Sequence, residues 1–160
     1  MSIQVGQHIP EVVVQRIRDG VEAIDTNALF DDRKIVLFAV PGAFTPTCSE
    51  KHLPGFVQHF EQFRSKGVEV ACMAVNDPFV MQAWAKSQNV PDGLMMLADG
   101  NADFTRALGL ELDASAYGMG TRAKRFALYA EDGVVKQLHV EAPGEFRVSS
   151  AEYVLEQLGK

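Results

Sequence analysis

Two short runs dominate the hydropathy pattern of the chain, Lys34 to Val40 (KIVLFAV) and Val68 to Val75 (VEVACMAV). Both are nearly continuous apolar stretches rich in β-branched residues, as expected for strands covered on both faces. Each leads through a turn signal into a helical pattern. After the first, Pro41-Gly42 through Pro46 precedes a helix expected around Cys48 to Ser65. After the second, Asn76-Asp77-Pro78 caps a helix near Phe79 to Gln88. Leu94 to Leu97 predicts a third short strand, and Ala102 to Leu108 a brief helix. Pro54-Gly55, inside the first helical stretch, is expected to kink or bulge it.

The last third changes period. Arg125 to Ala130 and Val134 to Glu141 read as strands joined by Glu131-Asp132-Gly133, and Asp-Gly between two such runs signals a hairpin. Ser149 to Leu158 reads as a closing helix capped by Ser149 or Ser150. A βαβ half followed by a hairpin and a terminal helix is the thioredoxin-like order. The expected fold class is α/β: a thioredoxin-like fold with a central mixed sheet, helices on both faces, and an N-terminal extension of about 30 residues.

Composition narrows the function. With 160 residues, 47% of them hydrophobic, the chain is expected to form a single domain over 1–160 and to be ordered. A net charge of −6 argues against nucleic acid and acidic membrane surfaces as partners. No stretch approaches the roughly 20 apolar residues of a membrane span. The start, MSIQVGQHIPEVVV, shows no cationic segment followed by an apolar one, so no export signal is expected. Two cysteines, Cys48 and Cys72, cannot build a disulfide scaffold, and a reducing, cytoplasmic home is the simpler expectation.

One of those cysteines sits where α/β folds place their sites, between a buried strand and a helix. Thr47-Cys48-Ser49-Glu50 fits a capping box, with Thr47 as N-cap, Glu50 at the third position and Cys48 at the first. A free thiol of pKa about 8.5 is only about 3% thiolate at neutral pH, and making it mostly thiolate requires roughly 3 kcal/mol of preferential stabilisation. A helix terminus supplies about 0.3–1 kcal/mol when exposed and up to about 2 when partly buried. A cation must complete the task, and Arg122, Lys124 and Arg125 are the candidates. A buried, inert cysteine among ordinary turn residues is the competing structural reading.

Pro41-Gly-Ala-Phe-Thr-Pro-Thr-Cys-Ser49 followed by His52-Leu-Pro-Gly-Phe56 resembles the active-site loop of the peroxiredoxins, in the atypical type II or peroxiredoxin-5-like branch. Val5-Gly-x-x-Ile-Pro10, Val75-Asn-Asp-x-Phe-Val80, Leu97-Ala-Asp99 and Lys124-Arg-Phe126 resemble that branch in the same order. The resemblance implies a thiol peroxidase that reduces hydrogen peroxide and alkyl hydroperoxides, serving antioxidant defence and redox homeostasis as a non-covalent homodimer. It makes Cys48 similar to the peroxidatic cysteine, Thr45 to its hydroxyl partner, Pro41 to the shielding proline and Arg125 to the arginine from a neighbouring strand. Arg122 and Arg125 on one strand would face opposite ways; the resemblance selects Arg125, leaving Arg122 as a surface or interface charge. Gly42, Phe44, Pro46, Thr47 and His52 are expected around the peroxide, with Phe44 keeping the pocket apolar. No metal or organic cofactor is called for.

Cys72, in mid-strand, reads as a buried thiol, with a resolving role as the lesser alternative; a disulfide to Cys48 requires Cα atoms within about 7 Å. Phe146-Arg-Val-Ser-Ser150, where some relatives of this branch carry a resolving cysteine, has none. A one-Cys mechanism is therefore expected, with glutathione plus glutaredoxin, or thioredoxin, as the external reductant. His52 is expected to bond backbone near the site. The rival functions are a non-enzymatic peroxide sensor or chaperone acting through Cys48 oxidation, and a Cys48–His52 acyl-transfer enzyme.

Overall fold

The computed structural model describes residues 2–17 and 19–159. In chain order these form β1 (Val13–Ile17), β2 (Val21–Asp25), α1 (Thr26–Phe30), β3 (Lys34–Ala39), a π turn (Cys48–His52), α2 (Leu53–Gln58), α3 (Phe60–Ser65) and β4 (Glu69–Ala74). There follow α4 (Pro78–Ser87), β5 (Met95–Ala98), α5 (Asp103–Leu108), β6 (Glu111–Asp113), a 3-10 turn (Ser115–Tyr117), β7 (Thr121–Ala123), β8 (Phe126–Glu131), β9 (Val134–Val140) and α6 (Ala151–Leu158). Among the described residues, seven strands join one mixed sheet in the order β2-β1-β5-β4-β3-β8-β9. This is the expected thioredoxin-like α/β arrangement.

The two apolar runs lie side by side at its centre, β3 parallel to β4 with Phe38 opposite Cys72. Alternate residues of β3 feed opposite faces, as a strand's period of two requires. Val36 and Phe38 pack with Phe56, Phe63, Trp84 and Val154 on one side, whereas Ile35 and Leu37 pack with Leu29, Phe30, Phe104 and Leu108 on the other. The Asp-Gly hairpin forms as expected: Asp132 at φ 50° and Gly133 at φ 78° both take the left-handed conformation that matches the twist of β8 and β9. Asp77 caps α4 by accepting from the Val80 N–H at 2.8 Å, and Ser150 caps α6 by accepting from Tyr153.

The structure adds detail to these expectations. The N-terminal extension forms a hairpin, β1 with β2, and Gln15 of β1 pairs with Ala98 of β5, so the extension joins the sheet. The helix expected from Cys48 to Ser65 is broken into a π turn, α2 and α3. Pro54 lacks an N–H to continue the regular ladder, and the Leu53 N–H instead reaches back five residues to the Cys48 carbonyl. A second break falls at His59, which leaves helical geometry at φ −99°, ψ 10°. Finally, β6 and β7 form a separate two-stranded ribbon that ends at Ala123.

Candidate active site

Helical geometry after β3 begins at Pro46, two residues before the cysteine. Thr47 is therefore not the N-cap: it is already helical at φ −63°, ψ −37°, and its side chain caps nothing. Proline's fixed φ suits the first position of a helix, which moves the start back and leaves Cys48 third. The Ser49 N–H donates to the Thr45 carbonyl at 2.9 Å. Cys48 stays within the first turn, where backbone N–H groups have no intrahelical acceptor.

Cys48 is fully buried, and one cation reaches it. Arg125, just ahead of β8, donates from one terminal nitrogen to Cys48 Sγ at 3.2 Å. Its other terminal nitrogen lies 2.9 Å from His52 Nδ1. His52 is also fully buried, and its Nε2 lies 2.9 Å from the Ser149 carbonyl oxygen. A carbonyl only accepts, so Nε2 carries the proton and Nδ1 offers its lone pair to the guanidinium. Burial first, then the Arg125 charge, hold the His52 pKa down to about 3, against the opposing effect of the Ser149 bond. The ring is thus neutral at physiological pH. The geometry puts a permanent charge, braced on a neutral imidazole, against a sulfur that must become anionic to react.

Arg125 also lines a cleft of about 710 Å³, together with Pro41, Thr47, Lys51, Tyr117, Glu141 and Phe146, among others. Pro41 and Thr47 form part of its wall. Phe44 does not: it adopts φ 66°, is 56% exposed and is not part of the cleft wall, so it is not the apolar lining expected. Gly42 and Pro46 likewise shape the loop rather than the wall. A Cβ on Gly42 would lie 3.0 Å from an Arg122 nitrogen and 3.2 Å from Thr45 Cγ2. The Thr45 hydroxyl donates to the Gly42 carbonyl at 2.7 Å. Lys124 lines the cleft, and its N–H donates to the Leu110 carbonyl. His52 lies behind Arg125 rather than on the cleft wall.

Arg122 is more than a surface charge. It and Arg125 do not share a strand, because β7 ends at Ala123 and β8 begins at Phe126. The Arg122 guanidinium reaches back to the Pro41 carbonyl at 3.4 Å while its Nε donates to the Met119 carbonyl at 2.9 Å. It thereby ties the ribbon to the cysteine loop. Cys72 is fully buried on β4; burial chiefly, and the nearby Cys48, push its thiol pKa well up, with Arg125 opposing. Both cysteines are free thiols.

Residues 4–155 match the family model described as Redoxin. Peroxiredoxin-2E, chloroplastic, of Arabidopsis thaliana is 47% identical over 163 residues, covering 98% of this chain and 70% of its own length. Peroxiredoxin-2B of the same plant is 45% identical, with 98% of both chains covered. This chain belongs to the type II peroxiredoxins. A crystal structure of reduced Prx3 in complex with H2O2 from Vibrio vulnificus overlays on this type II peroxiredoxin with a TM-score of 0.94, at 47% identity over 98% of this chain and 99% of that one.

The peroxiredoxin is accordingly a thiol peroxidase, with Cys48 and Arg125 forming the peroxidatic environment. Sequence reasoning missed two groups behind that pair: Glu141, whose Oε2 accepts from the Ser149 N–H at 2.8 Å, and the Ser149 carbonyl, 2.9 Å from His52 Nε2. A backbone carbonyl leaves no mark in a sequence. Glu141 ends a strand-like run, where a carboxylate ordinarily faces water. Trp84 is fully buried, and its indole N–H donates to Ser49 Oγ at 3.0 Å, beside the reactive cysteine.

Proposed function

We propose that Cys48 reduces hydrogen peroxide and alkyl hydroperoxides by a one-Cys cycle completed by an external thiol. The observation that carries this reading is the 3.2 Å contact between the Arg125 guanidinium and Cys48 Sγ, the other end of the guanidinium being held by His52. The thiolate attacks one peroxide oxygen, the O–O bond breaks, and hydroxide or alkoxide leaves as the sulfur becomes a sulfenic acid. Charge moves from sulfur to the leaving oxygen, and Arg125 at the cleft wall can follow it without reorganising. The Thr45 hydroxyl donates to the Gly42 carbonyl, so its oxygen lone pairs can accept a hydrogen bond from the peroxide and orient it. Pro41 restricts the pocket without adding a donor that needs satisfying.

A thiol then condenses with the sulfenic acid, releasing water and leaving a mixed disulfide, and a second thiol displaces Cys48 as a free thiol. Glutathione with glutaredoxin is our first choice of reductant and thioredoxin the second. Cys72 is a poor resolving residue because a buried thiol with a raised pKa supplies little thiolate. We further propose that residues 1–160 act as one unit, in a reducing cytoplasm, and as a homodimer. Supporting the dimer, the Ala43 N–H donates to Asn76 Oδ1, bringing the loop that carries Phe44 beside the start of α4, where Phe79 is 66% exposed. Two large exposed aromatics on one face favour a protein contact.

The test is hydrogen peroxide consumption with each reductant, paired with intact mass spectrometry after peroxide. Turnover that disappears in Cys48→Ser, with a glutathione adduct on the wild-type chain, is the expected result. An intramolecular disulfide would make Cys72 the resolving residue. Stoichiometric oxidation without turnover under either reductant would favour a sensor. Sedimentation of a Phe79→Asp variant tests the dimer.

A further inference from the structure

One buried carboxylate is not used in the steps just described. Glu141, immediately after β9, is 7% exposed. Its Oε2 accepts from three successive backbone N–H groups, Arg147 at 2.7 Å, Val148 at 2.8 Å and Ser149 at 2.8 Å, and from the Ser149 hydroxyl at 2.7 Å. Consecutive amides converging on one point form an anion-binding concavity. Here the anion is the chain's own. The Glu141 N–H also donates to the Arg125 carbonyl at 3.0 Å. One residue therefore grips both Arg125 and the loop that follows β9.

That loop carries two groups that touch the site. The Ser149 carbonyl fixes the His52 tautomer at 2.9 Å. Phe146 packs against the His52 ring at 5.0 Å and beneath the Arg125 guanidinium at 5.9 Å. From the carboxylate the contacts run through Ser149 to His52, through His52 to Arg125, and through Arg125 to Cys48 Sγ.

We propose that Glu141 is a positioning residue for the peroxide reaction: by folding the 147–149 backbone around its carboxylate it holds His52 in the Nε2-protonated tautomer that aims Arg125 at Cys48. The physical logic is one of donors and acceptors. If the loop relaxes, the Ser149 carbonyl no longer selects Nε2, and the imidazole can carry its proton on Nδ1. An Nδ1–H would then face an Arg125 N–H, donor against donor, and the guanidinium would turn away from the sulfur. Because misplacement of about 1 Å can cost about 100-fold in rate, a residue that only positions His52 and Arg125 can control the reaction.

The proposal rests on the peroxidase reading of Cys48, and the experiment separates the two. Single-turnover oxidation of the full chain by hydrogen peroxide is followed by Trp84 fluorescence in wild type, Glu141→Gln and Glu141→Ala. The ring nitrogens of His52 are recorded in parallel by nitrogen NMR at neutral pH. The expected result is a rate constant lower by about tenfold in Glu141→Gln and by about 100-fold in Glu141→Ala, with the His52 signals moving from one pure tautomer toward a mixture. A folded Glu141→Ala chain with wild-type rate and unmoved His52 signals would overturn it, as would a slowed rate with unmoved signals. If Glu141→Ala does not fold, Glu141→Gln decides on the same two readouts. A wild-type chain inert to peroxide would defeat the peroxidase reading instead, while the tautomer signals would still report on the Glu141 contacts.

Discussion

Acid should weaken this fold through His52, and the size of the effect follows from the structure. The buried ring has its pKa held down to about 3, against 6.5 for an ordinary histidine. Between those values the unfolded chain binds a proton that the folded chain refuses. Stability from this source is therefore complete above about pH 6.5 and is lost as pH falls toward 3. From pH 7 to pH 5 the loss is about 2 kcal/mol, and over the whole window at most about 5, at about 1.36 kcal/mol per pH unit. His52→Gln is the informative perturbation. An amide donates to the Ser149 carbonyl and accepts from Arg125, as the imidazole does, but it does not titrate. Urea unfolding at pH 7 and pH 5, followed by the fluorescence of the buried Trp84, gives the stability of each chain. His139, whose pKa is also lowered by burial, adds acid sensitivity of the same sign, but it does so in both chains and cancels. The variant should lose about 2 kcal/mol less than wild type over this interval. Equal losses, within about 0.5 kcal/mol, would refute the assignment of the acid sensitivity to His52.

Two further substitutions separate catalysis from stability. Arg125→Lys keeps the charge but has a single head group in place of a fork that serves Cys48 and His52 at once, so the rate constant with hydrogen peroxide should fall by about 100-fold, read by stopped-flow. Asp99 is buried and accepts from the Phe104 N–H, the Thr105 N–H and the Thr105 hydroxyl at the start of α5, on the opposite face from the cysteine helix. Asp99→Ala should cost about 2–3 kcal/mol in urea unfolding while leaving the peroxide rate constant of the folded chain unchanged.

Much of this protein is legible in its amino-acid sequence. The runs at 34–40 and 68–75 are apolar at every second residue on both faces, which only a doubly covered sheet can bury, and they form the central pair β3 and β4. Asp77-Pro78 and Asp132-Gly133 act through their own backbone chemistry, so their cap and turn appear where expected. The loop from Pro41 to Cys48 also carried enough local pattern to point to a reactive thiol. Boundaries set by competition between neighbours were less readable: Pro46 and Thr47 both invite a helix start, and proline's locked φ prevailed.

The tertiary structure decided which groups meet the sulfur. Arg125 and Cys48 are 77 residues apart, and Ser149 and His52 are 97 apart. No local propensity encodes such a pairing, because it exists only once β8 has aligned with β3 and the segment after β9 has folded back over the π turn. Arg122 was misplaced for the same reason, since a strand boundary between it and Arg125 turned one toward Pro41 and the other toward Cys48. The sequence determined by itself that a thiol sits at a strand-to-helix junction, because strand, turn and helix starts are local preferences of the backbone. Only long-range packing could decide that this thiol faces a guanidinium held by a neutral histidine, because burial fixes both the ring's charge and the atom it points at.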